Sequence, residues 1–304
     1  MTDARIPLRA WIDLGLLALL WGGSFLAIRT ALDEIGFLSS VAHRVLWAAL
    51  VLWGIVAWKR LKVPTSARIW GAFLVMGCLN NVIPFTLMSW GQLSIESGLT
   101  AILNAATAIW AVLVAALVFP DERLTTARAI GVTLGFAGVA LAIGASALTS
   151  LDLRSLAQLA VIAGTVSYAL AGSWARAKLS DQPPLVAAAG MLTGSTFVAL
   201  PLAWVVEGPL PMRLQPDTWI AIAYYALAAT ALAYILYYRI LAAAGAGNLL
   251  LVTLMIPPIA IVLGATFRAE TLQPSAYLGF ALLALGLLIL DGRLGHALSK
   301  KRQL

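Results

Sequence analysis

Apolar residues run along this chain in long blocks, not in the alternation of a half-buried strand. Ten blocks lie near residues 11–32, 36–58, 69–91, 94–118, 126–146, 155–177, 182–206, 216–241, 245–268 and 274–291. A helix that crosses a bilayer needs about 20 mostly apolar residues, and each block has that length. Short polar connections separate them, and no stretch resembles a soluble domain. The pattern predicts an all-α polytopic membrane protein with ten transmembrane helices.

Composition agrees. Of 304 residues, 62% are hydrophobic and 11% charged, whereas a soluble domain is about a quarter charged. One cysteine, Cys78, excludes an internal disulfide and a cysteine-based metal cluster. Two histidines, His43 and His296, lie too far apart to suggest a metal site. No cofactor and no metal are expected.

The net charge of +7 changes meaning once the basic residues are placed on the ten blocks. With the N-terminus inside, fifteen of the 20 basic residues fall on the inner side, among them Arg9, Lys59, Arg60, Arg123, Arg128, Arg176 and Arg239. Arg29, Arg154, Arg213 and Arg268 fall outside, and Arg44 lies within a span. Loops rich in Lys and Arg stay cytoplasmic. Both termini are therefore expected in the cytoplasm, and the charge requires no nucleic-acid partner. The apolar run Leu14–Ile28 after Arg5 and Arg9 is read as an uncleaved first span, because nine more follow.

A shift of 148 residues lays 117–141 on 265–289. Phe119 then meets Phe267, Glu122 meets Glu270, Gly131 meets Gly279 and Gly138 meets Gly286. The shift carries span 4 onto span 9 and span 5 onto span 10. It predicts two five-helix repeats, 1–148 and 149–304. Five is odd, so the second is inverted, an architecture characteristic of secondary transporters with a midplane site between halves.

The segments LLWGGSFLAIRTAL, AHRVLWAALVL and DERLTTARAIGVTLGFAGVAL resemble the drug/metabolite transporter superfamily, specifically its EamA-type ten-helix members. Trp21-Gly22, Arg44 and Glu122-Arg123 occupy positions where that family often carries Trp-Gly, Arg and Glu-Arg. The second copy keeps Glu270 but has Thr271 for the Arg. The resemblance implies movement of small metabolites, often export, in a bacterial cytoplasmic membrane. YddG-type aromatic amino acid exporters are the nearest specific comparison.

Several groups stand out at membrane depth, where polar side chains normally face protein or a water-filled cavity. Asn80 and Asn81 precede Pro84 in span 3. Proline lacks an N–H, so the Asn80 carbonyl, four residues back, is expected to lose its partner. Thr100, Asn104 and Thr107 share one face of span 4. Asn248, Thr253 and Pro257 are read as a comparable group in span 9. Trp21, Trp110 and Tyr168, with Phe85 and Tyr234, are candidates for an aromatic-lined pocket. Ordinary core packing, self-bonding Thr hydroxyls and simple kinking compete with these readings. Arg44 is read first as a structural group bonding helix-end carbonyls and second as a site for a substrate carboxylate. Gly131, Gly135 and Gly138 suggest close packing of the halves or a dimer contact.

The function expected is secondary transport of small organic metabolites, above all export of aromatic or neutral amino acids by alternating access. Proton-coupled efflux of drugs or other metabolites is the alternative, and a membrane enzyme a weaker one. Neither HExxH nor GxSxG occurs in the chain. The expected partners are a small-molecule substrate and the bilayer, with the chain a monomer or weak homodimer.

Overall fold

The computed structural model of the protein describes residues 7–122, 124–144, 152–249 and 251–290, without the side chains of 245–248. Arg123 and the Asn248 side chain, both singled out above, lie outside the described residues. Among the described residues there is no strand. The helices are α1 (Leu8–Ala31), α2 (Phe37–Trp58), α3 (Ala67–Gly91), α4 (Ser97–Val118) and α5 (Thr126–Ile143). They continue with α6 (Leu153–Lys178), α7 (Pro184–Glu207), α8 (from Pro216 to Leu249), α9 (Leu251–Arg268) and α10 (Pro274–Leu290). Among the described residues nine helices are long and apolar enough to cross a membrane, and α10 contributes 17 residues. The helices alternate in direction, so Leu8 and Leu290 share one end of the bundle, here called the terminal end.

The first five helices pack largely against the last five. α1 lies on α8 and α9, α2 on α7 and α8, α3 on α6 and α7, α4 on α6 and α9, and α5 on α10. The α5–α10 contact shows what the glycines do. A Cβ on Gly138 would sit 2.5 Å from the Leu283 nitrogen and 2.7 Å from the Gly279 carbonyl. Only hydrogen at that position lets the two backbones touch. The glycine stripe thus serves contact between α5 and α10 of one chain.

Carboxylates stitch the two sets of helices together at the end opposite the termini. Glu207, closing α7, accepts from the amides of Leu38 and Ser39 at 2.9 and 2.8 Å, satisfying orphan N–H groups at the start of α2. Glu270 does the same for α4, taking Ser97 N–H at 2.9 Å and its hydroxyl at 3.0 Å. Asp33 pairs with Arg268, Glu96 with Arg154, and Glu34 accepts from the Gln215 amide. At the terminal end Asp13 pairs with Arg239 at 3.0 Å, and Arg176 with Asp121 and Glu122. The Arg176 hydrogen bond holds the Asp121 carboxyl below its ordinary range.

Two helices leave the α-helical register at mid-length. α3 is a π-helix over Cys78–Val82 and α8 over Tyr224–Leu232. The 148-residue shift places the first of these segments within the second. A π-turn inserts a residue and is frequently found at functional sites. In contrast, α9 runs through Pro257 and Pro258 as one helix. The break that matches α3 therefore lies in α8, its partner under the 148-residue shift, and the comparable break expected at Pro257 in α9 is absent.

Candidate functional site: a buried polar layer at mid-bundle

The π-turn changes which carbonyl Pro84 leaves free. Ile83 N–H bonds to Cys78, five residues back instead of four. In that register the missing N–H of Pro84 belongs to Leu79, not to Asn80 as expected. The Leu79 carbonyl is taken by the Ser167 hydroxyl of α6 at 2.7 Å. A matching bond lies on the other side, where Trp21 Nε1 of α1 donates to the Ala229 carbonyl in the π-segment of α8 at 3.1 Å. Each broken helix is thus bonded by a side chain from the opposite half of the chain.

Around these breaks polar groups connect α2, α3, α7 and α8. Asn81 is fully buried and its Nδ2 donates to Ser195 Oγ at 2.8 Å. Its Oδ1 accepts from Asn80 Nδ2 and from the Tyr234 hydroxyl, both at 3.3 Å. Asn80 Nδ2 also donates to Tyr234 Oη at 3.0 Å. Asn81 is therefore committed to holding α3 against α7 and α8, while Asn80 and Tyr234 remain half-buried.

Arg44 is the cation of this layer. It is 8% exposed, and its Nε donates to Thr230 Oγ1 at 2.9 Å. Its guanidinium lies 3.8 Å from the centre of the Phe85 ring, a cation–π contact. It bonds no helix-end carbonyl, and among the described residues it has no ion pair and no hydrogen bond to its two terminal nitrogens. Phe85 meets Tyr168 edge-on at 6.4 Å, and Tyr168 packs both on the α2–α3–α7 core around Leu52, Phe73 and Leu192 and on the α4–α5–α10 core around Leu103, Ile109 and Leu283.

On the other side of α6, α4 loosens at Ala105 and Ala106 between helical segments ending at Asn104 and starting at Thr107. Thr107 donates to the Asn104 carbonyl at 2.7 Å, leaving the Asn104 side chain unassisted. Asn104 Oδ1 is buried with no partner, and so is Trp110 Nε1. Buried polar atoms are almost always paired, so two orphans two turns apart on one helix call for a partner. Trp110 rests edge-on against Phe136 at 4.9 Å and lines a pocket of about 600 Å³ at the terminal end, beside Leu113, Phe119 and Val166. Thr100, on the same face, is fully buried with its hydroxyl on the Glu96 carbonyl of its own helix. Thr253 is half-buried on α9.

His43, next to Arg44, faces away from the layer. Its Nδ1 accepts from Trp47 Nε1 at 3.1 Å, and its Nε2 lies 3.0 Å from the Pro211 carbonyl. One nitrogen accepts and the other faces an acceptor, which specifies a neutral imidazole with its proton on Nε2. Trp219, which resembles an interfacial-belt residue by its place near a span end, packs edge-on against His43 and Trp47.

Sequence reasoning missed Ser167, Ser195, Thr230 and Tyr225. Serine and threonine in a span usually bond their own helix, so spacing gives no sign of which reach across. Ser40, whose hydroxyl lies 3.2 Å from Tyr225 Oη, carried no signal either.

Among the described residues, nine membrane-length helices and the shorter apolar α10 surround a buried polar layer, with two helices broken inside it, as in a polytopic membrane transporter. The EamA-like transporter family profile matches twice, over residues 10–144 and 155–290. The chain belongs to the EamA-like transporter family. A Streptantibioticus cattleyicolor protein named "Probable terminal-alkyne amino-acid exporter" is 26% identical over 90% of each chain. An Archaeoglobus fulgidus protein named "Uncharacterized transporter" is 24% identical over 93% of this chain and 98% of its own. "Uncharacterized transporter YwfM" of Bacillus subtilis is 29% identical over 62% of this chain and 60% of its own length. A solved crystal structure superposes with a TM-score of 0.67 at 16% identity, over 93% of this chain and 97% of that one, which shows the fold.

Proposed function

We propose that this protein exports neutral and aromatic amino acids across a bacterial cytoplasmic membrane by alternating access, driven by the substrate gradient. Arg44 carries the reading. A buried guanidinium with no carboxylate partner is costly, and its free nitrogens present the fork that binds a carboxylate in bidentate fashion. A substrate carboxylate completes it. The orphan Asn104 Oδ1 accepts from the substrate ammonium. Trp21, Phe85, Tyr168 and Tyr234 supply apolar wall for the side chain, with Asn80 and Trp110 at the margins. The S. cattleyicolor relative, named for amino-acid export, supports the substrate class.

The two halves, 1–148 and 149–304, act as inverted repeats that rock about this layer, with the π-segments of α3 and α8 as the yielding points. The terminal end is cytoplasmic, following the bias of Lys and Arg. The carboxylate links at the opposite end then close the outer side, and a conformer open to the outside releases them.

Counterflow in proteoliposomes tests this. Internal unlabelled phenylalanine or leucine should drive uptake of the labelled amino acid, and the matching amino alcohol, which lacks the carboxylate, should not compete. Competition by the alcohol equal to that by the acid would overturn the role of Arg44.

A further inference from the structure

A second polar orphan lies well away from the Arg44 layer. Gln158, in the first turns of α6, is 2% exposed. Its Nε2 donates to the Ile143 carbonyl at the end of α5, at 3.4 Å. That bond fixes which way the carboxamide faces, and Oε1 is left buried without a partner. Gln158 lines a cavity of about 760 Å³ with Leu99, Leu141, Ile143, Arg154 and Leu272. The cavity sits at the end opposite the termini, bordered by the end of α5, the starts of α4, α6 and α10, and Leu272 of the α9–α10 connection. α5 and α6 barely touch, and the flanking Leu141 and Leu159 are 40% and 52% exposed on the outer surface of the bundle.

The chemistry of the walls selects an occupant. An orphan acceptor in a mostly aliphatic cavity needs a donor, and a primary ammonium is the strongest available. One helical turn above, Arg154 gives two of its nitrogens to Glu96 at 3.2 and 2.8 Å. A guanidinium has five donors, so Arg154 retains capacity for an anion. The rest of the wall is mostly aliphatic, with Gln273 and Ser275 at the start of α10 adding polar groups at the same end as Arg154. A cationic tip, an adjacent anion and a long apolar remainder, entering sideways at headgroup depth, describe a phospholipid and not a small solute. The volume also exceeds what a free amino acid fills.

We propose that the cavity between α5 and α6 is a binding site for a phospholipid with a primary-amine head group, in the leaflet opposite the termini. The ammonium donates to Gln158 Oε1 and the phosphate accepts from Arg154. The acyl chains run down the groove past Leu99 and Leu141. This rests on the membrane-spanning fold alone and is independent of the substrate assigned to the Arg44 layer.

The test uses the full-length chain, purified and delipidated, then titrated with phosphatidylethanolamine, phosphatidylcholine and phosphatidylglycerol of identical acyl chains. Retention is read by native mass spectrometry. The ethanolamine lipid should be held about tenfold more tightly than the choline lipid, whose trimethylated nitrogen cannot donate. Gln158→Leu should collapse that difference, and Leu141→Trp, which fills the mouth, should lower retention of all three. Equal retention of the ethanolamine and choline lipids by the unaltered protein overturns the proposal, and that arm needs no variant to fold. Discrimination that survives Gln158→Leu also overturns it. Displacement of the lipid by free phenylalanine assigns the cavity to solute instead. Loss of amino-acid counterflow with head-group discrimination intact would count against the transport reading alone.

Discussion

The hydroxyl of Ser167 donates to the carbonyl of Leu79 at 2.7 Å, joining α6 to the point where α3 leaves its helical register. Pro84 supplies no N–H, and the π-turn over Cys78–Val82 moves the vacancy from Asn80 to Leu79. Without Ser167 that carbonyl would be bare in a buried layer. Helix–helix hydrogen bonds in membranes average about 0.6 kcal/mol and reach about 1.7. Ser167→Ala should therefore lower the thermal midpoint of the purified protein by a few degrees. Pro84→Ala should act in the opposite sense, because an alanine amide can donate to the Asn80 carbonyl, four residues back, and straighten α3. If the break is a yielding point, Pro84→Ala raises the midpoint and slows counterflow together.

Arg44 offers a sharper test of substrate chemistry. Lysine keeps the charge but loses the fork and the stacking on Phe85. Arg44→Lys should raise the half-saturating concentration for an amino acid about tenfold or more, with protein yield near normal. Arg44→Gln should abolish counterflow. A purely structural arginine would instead show loss of folded protein in both variants, read by size-exclusion chromatography, with transport per folded molecule unchanged.

For Asn104 the expected signs diverge. Its Oδ1 is buried and unpaired, and such an atom costs about 1–3 kcal/mol. Asn104→Leu removes the orphan at similar volume. The variant should be as stable as the parent or more so, yet transport amino acids at least tenfold more slowly. Reduced stability and unimpaired flux would mean that Asn104 serves packing and not substrate.

The fold was legible because bilayer thickness fixes the length of a span, and no residue had to be placed against another to see it. Ten apolar blocks became ten helices, with ends shifted by a few residues. The site was legible only in part. Asn80, Asn81, Arg44 and Tyr234 stood out as polar or aromatic groups at depth, and they do gather in one layer. Their roles within it depended on register. A single extra residue in the π-turn rotated the free carbonyl from Asn80 to Leu79, and hydropathy carries no trace of such a turn. The same applies to α9, where Pro257 looked like a second break. A neighbouring proline can be absorbed by an otherwise regular helix, whereas α8 breaks without any proline between Tyr224 and Leu232. Thr230 and Ser195 were invisible because small hydroxyls read as helix-bonding until the neighbouring helix is known.

The last prediction concerns energy coupling. Proton-driven carriers place a titratable group within the membrane as a relay. His43 is the histidine at that depth, and its geometry does not suit the task. Nδ1 is occupied by the Trp47 N–H, Nε2 by the Pro211 carbonyl, and the ring is fully buried beside Trp219. A relay must exchange its proton with water or substrate on each cycle, and both nitrogens here would have to break packed contacts first. The acidic side chains that pair across the bundle lie at its two ends, on Asp33, Glu96, Asp121 and Asp13, and not in the layer around Arg44. An imposed pH gradient across proteoliposomes, with equal amino acid on both sides, should therefore produce no accumulation. His43→Gln should leave counterflow within about twofold of the parent in folded protein. Accumulation that follows the pH gradient and vanishes in His43→Gln would instead establish antiport through this residue. Accumulation that persists in the variant would move the relay elsewhere and still defeat gradient-driven export.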